Sequence, residues 1–341
     1  MTSGANTVTL TITDSTEGAY VCTITFTDTA TNAASALTLT SFTLDTSVAT
    51  PSETTAVSTP TNDATPDVVI TTTQAGTIAV AGTSGCGLSS TATMASGANT
   101  VTLTITDSTE GAYVCTITFT DSAGNAASAL TLTSFTLDTS VATPSETTAV
   151  STPTKDTSPD VVITTTQAGT IVVAGTTGCA IGSANVVSGQ QTLTLTTITA
   201  GDGAYVCTIT FTDSAGNAAS ALTLTSFTLD TTVATPSETT VVSTPTNDAT
   251  PDVVITTTEA GTIAVAGTSG CGLSSTATMT SGANTVTLTI TDSTEGAYVC
   301  TITFTDTATN AASALTLTSF TLDTSVATPS ETTAVSTPTN D

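Results

Sequence analysis

Threonine and apolar residues alternate along much of this chain. Thr100-Val-Thr-Leu-Thr-Ile105 alternates strictly. So does Tyr113-Val-Cys-Thr-Ile-Thr-Phe-Thr120, with Tyr113, Cys115, Ile117 and Phe119 on one face and Val114 plus three threonines on the other. A period of two with one apolar face predicts half-buried antiparallel strands. Asp67-Val-Val-Ile-Thr-Thr-Thr73 and Thr77-Ile-Ala-Val-Ala81 are shorter β-branched runs, and the Gln-Ala-Gly between them predicts a hairpin. Asp121-Ser-Ala-Gly-Asn125 reads as a turn. Ala129 to Leu137 reads as a closing strand in which Leu130 and Leu132 alternate and Phe135 and Leu137 shift phase by one, which predicts a bulge. Pro51, Pro60 and Pro66 sit at the entry, where an edge strand and a loop tolerate them. No segment has a helical period. About seven short strands in a stretch of this length point to a two-sheet sandwich.

The pattern recurs. Gly-Ala-Tyr-Val-Cys places its tyrosine at Tyr20, Tyr113, Tyr205 and Tyr298, spaced 93, 92 and 93 residues apart. Ser-Phe-Thr-Leu-Asp-Thr places its aspartate at Asp45, Asp138, Asp230 and Asp323. These markers predict three complete repeats, 45–137, 138–229 and 230–322, with part-repeats 1–44 before them and 323–341 after. The first and third differ at six positions: Ser47/Thr232, Ala56/Val241, Gln74/Glu259, Ala95/Thr280, Ser122/Thr307 and Gly124/Thr309. The middle repeat diverges most, and Cys179 to Gln191 concentrates its differences. A length of 93 residues suits one small domain and exceeds the helical and leucine-rich solenoid periods, so each repeat is expected to be an independent bead. Residues 1–63 and 279–341 are identical, which predicts that the chain is a window on a longer periodic protein.

Composition narrows the function classes. One basic residue, Lys155, faces 27 acids, for a net charge of −26. Nucleic-acid binding needs a cationic footprint on phosphate, and docking on anionic lipid needs one too, so neither partner is expected. No apolar run reaches the length of a membrane span. There is no histidine, which removes the commonest general base and the commonest ligand for zinc or copper. Serine–histidine–aspartate, cysteine–histidine and glycine-rich phosphate motifs are absent, and the chain is not expected to be an enzyme.

Asp107-Ser-Thr-Glu-Gly-Ala-Tyr-Val-Cys115, and more closely Asp202-Gly-Ala-Tyr-Val-Cys207, resemble the immunoglobulin strand-F signature with its tyrosine corner. The chain has no tryptophan, and the partner cysteine lies too near in sequence for strand B. The closer resemblance is to the bacterial Ig-like repeats of large surface adhesins. Their linker, loop and turn read here as Asp45-Thr-Ser-Val-Ala-Thr-Pro51, Pro60-Thr-Asn-Asp63 and Thr120-Asp-Ser-Ala-Gly-Asn125. The resemblance spans the chain. It implies an all-β protein of tandem immunoglobulin-like β-sandwich domains arranged as an extended rod. It also implies an extracellular, cell-surface stalk or filament serving adhesion, spacing or fibre formation. Other copies of itself or other surface fibres are the expected lateral partners. The alternative is a multivalent binding module for glycan or neighbouring fibres, summed by avidity.

Three features carry the candidate chemistry. Six of the seven cysteines fall as Cys86/Cys115, Cys179/Cys207 and Cys271/Cys300, and Cys22 matches the second member of each pair, with its partner expected upstream. Regular pairing in a β-protein otherwise poor in thiols favours disulfides and an oxidising compartment over free buried thiols. Acids cluster at the repeat ends. In an Ig-like sandwich the end loops of one domain meet the linker and F–G turn of the next, which gathers Asp63, Asp107 and Glu110 with Asp138, Asp213 and Asn217. Oxygen-only ligands suit Ca²⁺, and junction calcium stiffens the resembling adhesins. The same residues also suit turns, capping their own backbone. Finally, Thr100/Thr102/Thr104, Thr116/Thr118/Thr120 and Thr131/Thr133 are expected to face outward, as a hydroxyl surface for packing or as β-formers that keep an uncharged face soluble.

Overall fold

The computed structural model describes residues 1–332 apart from 82–84, 90–91, 175–177, 182–184, 197–200, 267–269, 275–276 and 293. Residues 333–341 of the trailing part-repeat, and 182–184 within the divergent segment, lie outside the described residues. All regular structure among the described residues is β, and no helix there is long and apolar enough to cross a membrane.

Residues 45–137 form ten short strands: β1 Ser52–Thr55, β2 Asp67–Thr72, β3 Gly76–Ala81, β4 Cys86–Leu88, β5 Thr93–Met94, β6 Gly97–Ile105, β7 Gly111–Tyr113, β8 Thr116–Asp121, β9 Leu130–Thr131 and β10 Phe135–Leu137. They make one four-stranded sheet in the order β1-β2-β6-β4, a second in the order β9-β8-β3-β5, and a two-stranded β7-β10 ribbon. Every ladder is antiparallel. The same order recurs in the strands of 145–229 and again in those of 237–322.

The alternating threonine pattern does what its period requires. Val68 and Ile70 of β2, Val101, Leu103 and Ile105 of β6, and Ile117 and Phe119 of β8 turn inward and are buried. The threonines between them stay half-buried or exposed. Ile78, Met94, Leu132, Phe135 and Leu137 complete one core, and the equivalent residues of 230–322 form another. Burying a side chain of this size contributes roughly 1.5–3 kcal/mol, so each inward-facing residue of these strands adds measurably to the stability of so small a domain. Tyr113 stacks on Phe135 with ring centroids 5.9 Å apart, closing the core at the ribbon end.

Three local expectations change. β2 and β3 are not a hairpin: β2 pairs with β1 and β6, whereas β3 pairs with β8 and β5 in the other sheet. Gln74-Ala-Gly76 is therefore the arch between two sheets, a role that short β-branched runs do not distinguish from a hairpin turn. The run 113–120 is not one strand. It breaks at Val114 and Cys115, so that β7 pairs with β10 while β8 pairs with β3 and β9. The phase slip in 129–137 is the matching break between β9 and β10, not a bulge, and the register irregularity lies instead between Glu53 and Thr55 of β1.

By packing, the chain divides into two compact bodies. One is Met1–Val141 with Thr212–Ala218, the other Ala142–Phe211 with Ala219–Asp341.

Candidate functional site: clamps at the repeat ends

Each repeat pattern ends in a short linker that begins at the aspartate of Phe-Thr-Leu-Asp. Two sets of side chains converge on that linker. The first is a carboxylate fork. Glu110, on the loop before β7, accepts the Thr139 backbone N–H and hydroxyl at Oε1 (both 2.9 Å) and the Ser140 hydroxyl at Oε2 (3.2 Å). Glu17 holds Thr46 and Ser47 in the same way, and Glu295 holds Thr324 and Ser325. The middle repeat is one residue shorter, and there Asp202 takes the part, accepting from Thr231 (2.8 and 2.6 Å) and Thr232 (2.8 Å). These donors hold the Glu110 and Asp202 carboxyls below their usual range, the Thr139 and Thr231 hydroxyls contributing most. A depressed folded pKa means that the stabilisation is present above the unfolded value and is lost as pH falls through the folded one.

The second set is the F–G turn. Asp121 accepts the Ala123 and Asn125 N–H groups at Oδ1 (2.9 and 2.8 Å) and the Asn125 amide at Oδ2 (2.8 Å). Asn125 Nδ2 also donates to the Asp45 carbonyl (3.0 Å), so a turn 80 residues further along pins the start of the linker. Asn217 repeats this on Asp213 (2.9 Å) and the Asp138 carbonyl (2.8 Å), and Asn310 on Asp306 and the Asp230 carbonyl (both 2.8 Å). Asp121, Asp213 and Asp306 are buried, a cost that their amide donors compensate. Asn62 adds its N–H to the Ala215 carbonyl (3.2 Å), which helps place turn Thr212–Ala218 with the first body.

The six junction residues expected from the sequence therefore split. Asp138, Asp213 and Asn217 come together, through the Asn217 amide. Glu110 engages Thr139 and Ser140. Asp107 accepts the Tyr113 hydroxyl (2.5 Å), a bond that lowers the Asp107 pKa and raises that of Tyr113. Asp63 caps its own turn through the Thr65 N–H (2.7 Å) and hydroxyl (2.9 Å). No three of these five carboxylates bring oxygens within 4.8 Å of one another. Among the described residues only Asp230, Glu259 and Asp306 do so.

Sequence reasoning missed several residues. Glu53 on β1 accepts the Thr133 N–H and hydroxyl (both 2.8 Å), and Glu146 and Glu238 do the same for Thr225 and Thr318. The Asn125 clamp was half visible, as the last letter of the Thr-Asp-x-x-x-Asn turn. Nothing local reveals its second partner 80 residues away. The Gln74/Glu259 difference was visible as a letter, but its contacts were not.

The cysteines sit between the sheets. Cys86, on β4, bonds Cys115, just before β8, across a Cα–Cα distance of 5.9 Å. Cys179–Cys207 and Cys271–Cys300 repeat the bond, and Cys22 is a half-buried free thiol.

Comparison with known proteins supplies the family. Residues 47–139 match the family model described as bacterial Ig-like domain. No curated protein matches the chain. Among solved structures, the D00-D0 domain of intimin is similar at 11% identity over 51% of this chain and 98% of its own, with a TM-score of 0.26. Invasin, a bacterial integrin-binding protein, is similar at 17% identity over 80% of this chain and 60% of its own, with a TM-score of 0.30. The family match carries the assignment, and the near-identity of residues 230–322 to residues 45–137 extends it along the chain. Residues 47–139 belong to the bacterial Ig-like domain family, and the chain repeats that domain's sequence in tandem.

Proposed function

We propose that the chain is an extracellular stalk or filament segment whose work is mechanical: to space and project whatever it carries, and to resist bending at its linkers. One observation carries this reading furthest. In every linker described, a carboxylate fork accepts hydrogen bonds from the two residues after the aspartate, and in the three complete repeats the F–G turn asparagine grips the preceding aspartate's carbonyl. A catalyst needs one special site, whereas a rod needs the same joint repeated. Disulfides in each complete repeat support an oxidising, surface location. Electron microscopy of the full chain tests the proposal. Uniform, nearly straight particles are expected, with a wider spread of bend angles in Glu110→Ala. A collapsed globule, or a spread unchanged by Glu110→Ala, rejects it.

Calcium belongs to the same proposal at Asp138 and Asp213, where a cation would take the place that the Asn217 amide occupies between them. Adding chelator to the same particles is then expected to widen the angle spread and lower the Tm. Identical values with and without chelator remove calcium from the account.

A specific observation favours the binding alternative as a second reading. Only the middle repeat exposes Val172 (59%) and Val187 (66%), where the first repeat has Ala79 and Ala95. Concentration-dependent bundling that Val172→Ala with Val187→Ala abolishes would favour lateral contact through that repeat.

A further inference from the structure

The first and third complete repeats are nearly the same molecule, so a difference between them isolates its own effect. In the first, Gln74 lies on the arch between the two sheets, and its amide donates to Asp45 Oδ2 at 3.1 Å. The middle repeat also has glutamine here, Gln167. The third has Glu259. A carboxylate of the same shape cannot donate. Its Oε2 is shut off from solvent and has no hydrogen-bond partner, and its carboxyl lies with those of Asp230 and Asp306 within 4.8 Å of one another. An exchange of one amide for a carboxyl has turned a donor facing an acid into a third acid.

We propose that Glu259 takes up a proton from solvent and, as the neutral acid, donates to Asp230 the hydrogen bond that Gln74 donates to Asp45. The third repeat then grips its linker firmly in acid and weakly at neutral pH, so that one complete repeat in three is an acid-strengthened joint. The acids around Glu259 all push the same way. Asp230 and Asp306 are the near neighbours, and Asp202, on the fork that holds Thr231, adds its charge from further off. Asn310 gives its amide protons to Asp306 and to the Asp230 carbonyl, which leaves none for Glu259. Lys155, the one cationic side chain in the protein, donates to the Thr309 carbonyl at 2.8 Å. Desolvation first, then these neighbouring charges, raise the pKa values of Glu259 and Asp230 above the usual carboxylate range.

The sign follows. A raised folded pKa gives a stabilisation that is complete below the unfolded glutamate value and disappears as pH rises through the folded one. Carboxylates such as Asp292 and Glu295, whose pKa values are lowered, give the opposite slope, but they are present in both proteins when the parent is compared with an isosteric variant. The comparison is therefore the thermal unfolding of the full chain and of Glu259→Gln from about pH 4 to 8 in chelator. The variant is expected to melt on the order of 5 °C above the parent at pH 7 and together with it near pH 4. Gln74→Glu is expected to create the same pH dependence in the first repeat. In ¹³C-glutamate spectra, one carboxyl titrating above its usual range should vanish in Glu259→Gln. A parent–variant difference that does not change with pH, or no carboxyl titrating high, overturns the proposal. So does a difference that calcium alone erases at constant pH, which would make the cluster a cation site.

Discussion

Replacing Cys86 and Cys115 together by alanine lowers the melting temperature of residues 45–137 by roughly 20 °C. The bond closes a loop of 29 residues, which on the chain-entropy account stabilises the fold by about 3.5 kcal/mol. For a domain of this size 1 kcal/mol moves the Tm by about 4–8 °C. The position makes the loss harder to absorb. Cys86 lies on β4, whose one ladder among the described residues is to β6, and the bond crosses from there to the fully buried Cys115 beside β8 in the other sheet. Without it a three-residue edge strand is held by one ladder. Calorimetry of the full chain should show one part of the unfolding moved down and the rest unmoved, while a thiol reductant should move all of it. If the double variant melts within about 5 °C of the parent, the sheet–sheet contact rather than the bond secures β4, and the entropy argument is wrong here.

The alternation of 100–105 and 113–120 fixed which residues face inward, because a period of two leaves no choice once one face is apolar: Val101, Leu103, Ile117 and Phe119 are all buried. The cysteine spacing likewise named the bonded pairs. What alternation cannot reveal is which sheet a strand joins. Residues 67–72 and 76–81 look like hairpin arms, yet they lie in different sheets, since pairing is decided by partners up to 45 residues away. The split of 113–120 at Val114 escaped for the same reason, because β7 and β8 keep one apolar face while changing partners. Acids at the repeat ends were legible as a class, from turn chemistry and from the scarcity of cations. Their individual roles were not. Asp107 serves a tyrosine and Glu110, three residues later, serves a linker, and only the fold distinguishes them.

The repeat ends also show why so acidic a chain can fold with one lysine. A carboxylate in need of a partner finds it here in threonine hydroxyls, backbone N–H groups and one asparagine amide. Charge-assisted bonds of this kind are stronger than neutral ones and need no ion pair. The abundance of threonine thus serves two tasks, β-propensity on the sheet faces and donors at the clamps. Glu259 Oε2 lacks such a donor, which is why the one-letter difference from Gln74 matters.

Gly76→Ala is expected to cost about 3 kcal/mol or more, although its backbone is not in the left-handed region. Gly76 opens β3 opposite Asp121 of β8. A Cβ there would lie 2.2 Å from the Thr120 carbonyl oxygen and 2.8 Å from both the Asp121 Cα and the Phe119 ring. Two of these three obstacles are backbone, and Phe119 is among the largest fully buried side chains, so no flexible group can yield. β3 must move away from β8 and lose ladder bonds. Gly111→Ala is the control. Its φ of +145° strains an alanine, but nothing lies within 4 Å of the new carbon, and about 1–2 kcal/mol is expected. Urea midpoints of the two variants should therefore rank Gly76→Ala well below Gly111→Ala, and the reverse order would mean that β3 does not pack on β8 as described. The damage should reach the linker too. Asp121, directly opposite Gly76, is the residue whose carboxylate positions Asn125 on the Asp45 carbonyl. A variant that separates β3 from β8 while leaving that grip intact would show that the clamp is set by its own turn and owes nothing to the sheet.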